Sequence, residues 1–253
     1  VYVAPESRFS KNSNARDATH HLVLLAETKE GYHNLIKLVS AGYTEGFYYR
    51  PRIDKDLLAQ HAAGLIGLSS CLKGEIATQL RTDKLNLATK TAATFKDIFG
   101  SENFFLEMQD QGIPEQRVVN TGLMPIAKDL GLPLVCTNDV HYLSQNDAQA
   151  HDVLLCIGTG KTVQDDKRLR YHGDQFYLKT PEEMAAVFRE HPDAVSNTVR
   201  IAERCRVDLG VAENHLPEFD VPAPYDLDEY FEHVVREGFN ARLEKLRALS
   251  MKG

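Results

Sequence analysis

Short apolar runs alternate with longer amphipathic stretches over the first half of the chain. A short apolar run bounded by turn residues predicts a buried β-strand, and apolar residues three or four apart predict an α-helix. Strands separated by helices of roughly ten to twenty residues are typical of βα units around a parallel sheet. The predicted strands are residues 2–4, 21–26, 65–69, 104–108 and 132–137, and the predicted helices among them are residues 31–42, 55–61, 74–80, 85–99 and 114–130.

The alternation stops after Tyr142. Helices are predicted at 145–158, 181–189 and 193–205, followed by a proline-punctuated linker and a final amphipathic helix at 227–249. The sequence therefore predicts an α/β fold, a partial and distorted βα (TIM-like) barrel followed by a helical extension. The predicted domains are the C-terminal part of the barrel at 1–145, the helical extension with its linker at 146–220, and the start of a further domain at 221–253.

Composition places the chain among globular proteins, with 43% apolar and 26% charged residues in a length of 253. No apolar run approaches the roughly 20 residues that span a bilayer, and no signal peptide opens the chain. A net charge of −7 argues against binding nucleic acid by overall electrostatic attraction. Four cysteines without a CxxC pair favour a reducing, cytoplasmic setting. Because the chain starts with Val1 and ends inside a predicted helix, we expect an internal fragment.

Asp139 and His141 follow an apolar run and are two residues apart, so their side chains share one face of an extended segment. A carboxylate beside an imidazole suits Zn²⁺, Mn²⁺ or Fe²⁺. Cys71 closes the run 65–70 in the same way, and a βα barrel gathers ligands from the ends of different strands into one site. The alternative is that these are ordinary polar residues at strand ends, and that Cys71 is a small buried hydrophobe.

Three further residues are candidates for the site. Glu107 ends its predicted strand on the same face, where it would accept a hydrogen bond from a ligating histidine or activate a water on the metal. A salt-bridged surface glutamate is the alternative. Arg50 and Arg52 lie in an aromatic-basic segment, 47–52, of the kind that binds single-stranded nucleic acid. Packing tyrosines and solvent-facing arginines explain that segment equally well.

The segment 156–162 invites comparison with a phosphate-binding loop because it contains Gly158, Gly160 and Lys161. That motif requires a glycine at position 155, which is Leu, and it follows a strand, whereas this segment follows a predicted helix. We therefore interpret Gly158 or Gly160 as the C-cap of a helix.

Six stretches carry a family resemblance: HHLVLLA at 20–26, GFYYRPRID at 46–54, SCLKGE at 70–75, TNDVHY at 137–142, AHDVLLCI at 150–157 and FYLKTPEEM at 176–184. Together they resemble the polymerase and histidinol phosphatase (PHP) domain of bacterial replicative DNA polymerase III alpha subunits. The resemblance covers nearly the whole chain, and the stretches are specific only in combination.

The resemblance implies a distorted barrel that holds up to three Zn²⁺ or Mn²⁺ ions and acts as a metal-dependent phosphoesterase or 3′–5′ proofreading exonuclease. Carried over by position, it implies that His21, Cys71, Asp139 and His141 are four of nine metal ligands. His21 matches rather than His20, because the family's histidine stands five residues before the alanine that closes the strand. The other ligands would lie upstream.

For the parent protein, the resemblance implies template-primed DNA synthesis from deoxynucleoside triphosphates. Mg²⁺ would be held by carboxylates of a polymerase palm downstream of Gly253. It also implies a sliding clamp and an exonuclease subunit as partners, and no membrane. Two alternatives are open. One is a free-standing PHP phosphoesterase for a small phosphate ester, which would not need the long extension after Tyr142. The other is a metal-stabilised scaffold that docks a separate exonuclease subunit.

Overall fold

The structure is a computed structural model that describes residues 1–11, 19–210 and 217–250. The chain forms two compact units, Val1–Leu209 and Gly210–Gly253. The strands are β1 (Tyr2–Val3), β2 (His20–His21), β3 (Val23–Ala26), β4 (Arg52–Ile53), β5 (Leu65–Leu68), β6 (Phe104–Gln109) and β7 (Leu134–Thr137). The helices are α1 (Lys29–Thr44), α2 (Lys55–Gln60), α3 (Glu75–Arg81), α4 (Leu85–Phe99), α5 (Pro114–Leu130), α6 (Ala148–Thr159), α7 (Pro181–Val187), α8 (Pro192–Arg204) and α9 (Leu227–Ser250).

Two small sheets organise the larger unit. In the first, β1 lies between β2 and β4, antiparallel to β2 and parallel to β4. The second has the order β3-β5-β6-β7, in which β5, β6 and β7 are parallel and β3 is antiparallel to β5. The α/β class is confirmed. The antiparallel β3 departs from the all-parallel sheet that the alternation predicts, and the sheets of the described residues are open rather than closed into a barrel.

The predicted strand at 21–26 is divided in the structure. β2 pairs with β1, whereas β3 pairs with β5. Leu22 lies between them, is buried, and donates its N–H to the carbonyl of the first residue at 3.1 Å. The run is apolar after its histidines, so no polar residue marks the break and the hydrophobic pattern could not locate it. As a result, His21 belongs to a different sheet from the strands that lead to Cys71 and Asp139.

The main core forms where α4 packs against the larger sheet. Ala88, Ala92, Phe95 and Phe99 recur three or four residues apart on α4 and are all buried. Phe95 and Phe99 stack on Phe104 of β6, with ring centroids 5.1 and 5.9 Å apart. Each buried phenylalanine contributes roughly 1.5–3 kcal/mol through the burial of apolar surface. This packing fixes β6, the central parallel strand beneath the candidate site.

Local signals fix the helix ends. α5 starts with Pro114 in its first turn and is capped by Gly131, whose φ of 64° lies in the left-handed region that glycine tolerates. α6 is capped by Gly160, also at φ 64°, whose N–H donates to the carbonyls of Cys156 and Ile157. The prediction of a helix C-cap in this segment, rather than a phosphate-binding loop, is confirmed.

The smaller unit contains α9, which carries the exposed i,i+4 ion pair Glu232–Arg236. In the described parts of the chain, no helix combines the length and the apolar character needed to cross a membrane. The predicted domain boundaries after residues 145 and 220 remain predictions.

Candidate metal and phosphate site

The carboxyl ends of β5, β6 and β7 lie side by side because these strands are parallel. Cys71 and Asp139 follow β5 and β7 within three residues, and Glu107 lies near the end of β6. The backbone enters the left-handed region shortly after β5 and β7, with φ of +67° at Ser70 and +47° at Asp139. Non-glycine residues rarely adopt these values, and such strain concentrates at functional sites. The structure thus brings the strand-end residues to one edge of the sheet.

His21 lies beside Cys71, although the two residues are far apart in sequence. The imidazole Nδ1 is 3.7 Å from the Cys71 Sγ. The backbone N–H of His21 donates to the carbonyl of Lys73 at 3.0 Å, and the ring of Tyr2 packs edge-on against the imidazole with centroids 5.1 Å apart. The break between β2 and β3 therefore places this imidazole at the end of β5.

Asp139 and His141 form a second pair. His141 Nε2 is 3.6 Å from Asp139 Oδ2, and the two side chains are about one-third exposed. The backbone N–H of His141 donates to the carbonyl of Phe176 at 2.8 Å. The ring of Tyr171 lies 4.5 Å from the imidazole, centroid to centroid. The pair is therefore held by the segment 171–176, which no motif had connected with it.

Burial favours the neutral forms of the first pair. It lowers the pKa of His21, and the positive charge of Lys73 lowers that pKa further. Burial also raises the pKa of the Cys71 thiol. The negative charge of Asp139 raises both pKa values, so this carboxylate acts electrostatically on both groups. A metal binds a neutral imidazole, which is the form that burial favours for His21. It binds a thiolate, so metal binding would have to displace the proton of Cys71.

The donor atoms fit a metal ion in pairs. Two ligands of one tetrahedral Zn²⁺ ion lie roughly 3.3–3.8 Å apart, given metal–ligand distances of about 2.0–2.3 Å. The two observed spacings, 3.7 and 3.6 Å, are close to this value. Among the described residues, however, no group of three or more His, Cys, Asp or Glu side chains is arranged to hold a metal. The pairs fit parts of a metal site, and the four residues implied by the resemblance do not form one group.

Glu107 is only 5% exposed, and its carboxylate is surrounded by hydrogen-bond donors. Oε2 accepts from the backbone N–H of Ser70 at 2.9 Å. Oε1 accepts from the Thr137 hydroxyl at 2.5 Å and from Gln109 Nε2 at 3.1 Å. Burial raises the pKa of Glu107, while the three donors lower it. None of these partners is a histidine, so the contacts differ from the predicted bond to a ligating imidazole.

Two cavities, of about 240 and 300 Å³, adjoin the pairs. Lys73 and Arg81 border both of them. Lys73 lies in the stretch SCLKGE at 70–75, but no role was predicted for it, and Arg81 lies outside all the motifs. The first cavity is also bordered by Cys71, Asp139, Gln116, Arg170, Tyr171 and Phe176, and the second by His20, His21, Arg50 and Thr78.

The two arginines predicted to contact nucleic acid have different environments. Arg50 is exposed, borders the second cavity, and lies over the ring of Tyr2 at 4.9 Å. Arg52 is completely buried, and its guanidinium donates to three backbone carbonyls at 2.8–3.0 Å. The prediction for Arg52 was wrong, because a buried guanidinium cannot reach a nucleic acid. The accepting carbonyls belong to Gly46, Arg8 and Ser10.

Comparison with known proteins identifies the class first. The family model of the PHP domain matches residues 1–111. Residues 1–111 therefore match the PHP domain family, as the motifs predicted, and the similar proteins described next are DNA polymerase III alpha subunits.

The chain is 45% identical to DNA polymerase III subunit alpha of Treponema pallidum over 244 residues, which cover 96% of this chain and 21% of the relative. It is 41% identical to that of Borreliella burgdorferi over 249 residues, which cover 97% of this chain and 22% of the relative. It is 45% identical to that of Thermus aquaticus over 230 residues, which cover 88% of this chain and 19% of the relative. The chain thus spans about a fifth of the length of these relatives.

Proposed function

We propose that this chain is the PHP region of a bacterial replicative DNA polymerase and contributes to a metal-dependent site that removes nucleotides from the 3′ end of DNA. The observation that carries the proposal is that Cys71 of the thiol–imidazole pair and Asp139 of the carboxylate–imidazole pair border the same cavity, together with cations. Identities of 41–45% to DNA polymerase III alpha subunits support it.

The donor atoms would hold Zn²⁺ or Mn²⁺, in up to three ions, with further ligands from outside the described residues. When bound, such an ion lowers the pKa of water and neutralises the charge that develops on a phosphodiester. Glu107 keeps the two strand-end loops in place, and Lys73 and Arg81 attract the phosphate. A direct role for Glu107 in orienting or deprotonating water remains part of the proposal. The metal ligands are His21, Cys71, Asp139 and His141.

The remaining functions belong to the parent protein in this proposal. It extends primed DNA with deoxynucleoside triphosphates, using Mg²⁺ in a palm outside this chain, and binds a sliding clamp and an exonuclease subunit. The names of the relatives support this assignment. A cytoplasmic location agrees with four cysteines that are all free thiols.

A second candidate is a scaffold that binds metal without cleaving DNA and docks a separate exonuclease subunit. Both candidates bind metal, so they differ only in whether the complete protein releases nucleotides. The similarity to polymerase subunits does not support a free-standing phosphoesterase.

The deciding experiment uses the full-length protein and measures bound metal, release of nucleotides from a labelled single-stranded 3′ end, and primer extension. Asp139→Asn and His141→Ala should each reduce bound metal and nucleotide release about tenfold or more, with primer extension near wild type. Asp129→Asn, an exposed aspartate near the end of α5, is the matched control and should change nothing.

The outcomes separate the candidates. Metal binding without nucleotide release favours the scaffold. Loss of primer extension alone, with nucleotide release retained, contradicts the assignment of these residues. A full-length protein that binds neither Zn²⁺ nor Mn²⁺ excludes both candidates.

A further inference from the structure

We propose that the cavity beside Cys71 and Asp139 binds the terminal nucleotide of a single DNA strand. Three cations hold its phosphate, an aromatic ring stacks on its base, and a buried amide oxygen accepts a hydrogen bond from it. The inference rests on the proposed function, because it names the ligand of that same site. The volume of about 240 Å³ lies just below the usual range of small-ligand sites, which begins at about 300 Å³, and suits one nucleotide rather than several.

The cations that border the cavity lack partners of their own. Lys73, Arg81 and Arg170 are exposed, and within the described parts of the chain none forms an ion pair or donates a side-chain hydrogen bond. Two carboxylates, Glu115 and Asp139, also border the cavity, and Asp139 is a proposed metal ligand. The chain as a whole has a net charge of −7, so this local excess of positive charge is distinctive. Unpaired guanidinium and ammonium groups around a cavity suit a phosphate group.

Gln116 indicates that the ligand is more than a phosphate. It borders the cavity and is 2% exposed. Its Nε2 donates to Asn120 Oδ1 at 3.2 Å, but its Oε1 has no hydrogen-bond partner among the described residues. Buried acceptors are normally paired, and a donor from a ligand in the cavity would satisfy this oxygen. The amino and ring N–H groups of nucleobases are such donors.

Tyr171 supplies a fixed aromatic surface on the same cavity. It is half-buried, its ring packs perpendicular to that of Phe176 with centroids 4.8 Å apart, and it contacts the imidazole of His141. Every nucleobase has a flat face that stacks on such a ring. Phosphate-binding cations, a stacking surface and a buried acceptor around one small cavity together match the chemistry of a nucleotide.

The test is calorimetric titration of the full-length protein with dAMP, deoxyribose 5-phosphate or inorganic phosphate, in EDTA. Arg81→Gln should reduce the affinity for dAMP and for deoxyribose 5-phosphate at least tenfold, because both ligands lose a charge-assisted hydrogen bond to their phosphate. Arg117→Gln is the matched control, since this arginine is exposed on α5 and does not border either cavity.

Substitutions at two glutamines distinguish recognition of the base from recognition of the phosphate. Gln116→Leu should reduce the affinity for dAMP about fivefold and leave the affinity for deoxyribose 5-phosphate unchanged, because only the base is expected to reach this side chain. Gln79→Leu is its control: Gln79 Oε1 is also buried without a partner, but Gln79 borders neither cavity.

No saturable binding of dAMP overturns the proposal, and so do equal losses in Arg81→Gln and Arg117→Gln. Inorganic phosphate that binds as tightly as dAMP, with no effect of Gln116→Leu, also overturns it by identifying a simple anion site. Because binding is measured in EDTA, these results are independent of metal-dependent cleavage. A protein that binds dAMP as described but never releases nucleotides would contradict the proposed function and leave this inference standing.

Discussion

The carboxylate of Glu107 accepts the backbone N–H of Ser70 at 2.9 Å, which joins the end of β6 to the loop that carries Cys71. Its other oxygen accepts the hydroxyl of Thr137 at 2.5 Å, two residues before Asp139. One buried acid therefore connects the loop after β5 with the last residue of β7, and a residue with positive φ follows each of these strands. A residue in this position determines where the candidate metal ligands lie without needing to contact the metal.

Replacement of Glu107 by glutamine tests this bracing role. In Glu107→Gln one acceptor oxygen becomes an NH₂ group, which leaves either the Ser70 N–H or the Thr137 hydroxyl without its acceptor. The free energy of unfolding should fall by about 1–3 kcal/mol, the cost of an unsatisfied buried donor, in urea denaturation. Glu115→Gln, at an exposed position on α5, should change it by less than about 0.5 kcal/mol.

The same variant distinguishes a positioning role from direct ligation. If Glu107 only positions the loops, bound metal and stability should decrease together. A Glu107→Gln variant that keeps wild-type stability but loses its metal would identify the carboxylate as a ligand instead.

Local signals predicted the elements of this fold well. The bounds of α4 and α5 were predicted to the residue, because apolar spacing agrees with a first-turn proline and with the capping glycines Gly100 and Gly131. The strand ends near Cys71 and Asp139 were also predicted from apolar runs. These features depend on neighbours in sequence, which a single chain displays directly.

Long-range relationships were harder to predict. The contact between His21 and Cys71 depends on a strand break at Leu22 that no polar residue marks. The burial of Arg52 depends on carbonyls more than forty residues away as well as on a near one, so an aromatic-basic segment looked like a binding surface. The cavity beside the site depends on cations from separate elements, and their convergence is visible only in three dimensions.

Arg52 should therefore matter for stability rather than for DNA binding. Lysine keeps the charge but cannot present the guanidinium fork to several carbonyls, so Arg52→Lys should lower the free energy of unfolding by about 3 kcal/mol. Arg50→Lys, at an exposed neighbouring site, should change it by less than about 0.5 kcal/mol. Chemical denaturation of the two variants measures both effects. Equal stabilities would contradict the structural role assigned to Arg52.

The first turn of α1 packs against a loop so closely that only glycine fits. A Cβ on Gly31 would lie 1.8 Å from the carbonyl oxygen of Gly64, whose own φ is +70°. Gly31→Ala must therefore push backbone against backbone and should cost about 3 kcal/mol or more in thermal unfolding. The control is Gly158→Ala in α6, where a Cβ meets nothing within 4 Å. It should be neutral or stabilise by up to about 1 kcal/mol. A small, equal effect of both substitutions would refute the close approach.

The ion pair between Asp152 and Arg168 predicts a pH dependence. The guanidinium binds the carboxylate through two bonds, NH1 to Oδ1 at 2.5 Å and NH2 to Oδ2 at 2.7 Å. Hydrogen bonding from Arg168 lowers the pKa of Asp152 below its ordinary value of 3.8. The pair joins α6 to the segment that leads to Arg170 and Tyr171, so its state bears on the proposed nucleotide cavity.

The direction of this effect follows from proton binding. Below the ordinary pKa, the unfolded chain takes up a proton on Asp152 while the folded chain does not, so stability rises with pH in that range. The stabilisation is fully present above the ordinary pKa and is lost as pH falls through the lowered pKa of the folded state. NMR titration of the Asp152 carboxyl carbon should show the lowered pKa, and Arg168→Gln should raise it towards the ordinary value. Lys167→Gln, which removes a neighbouring cation on the same loop, should leave the lowered pKa of Asp152 unchanged. A pKa of Asp152 that does not respond to Arg168→Gln would show that the ion pair is not formed in solution.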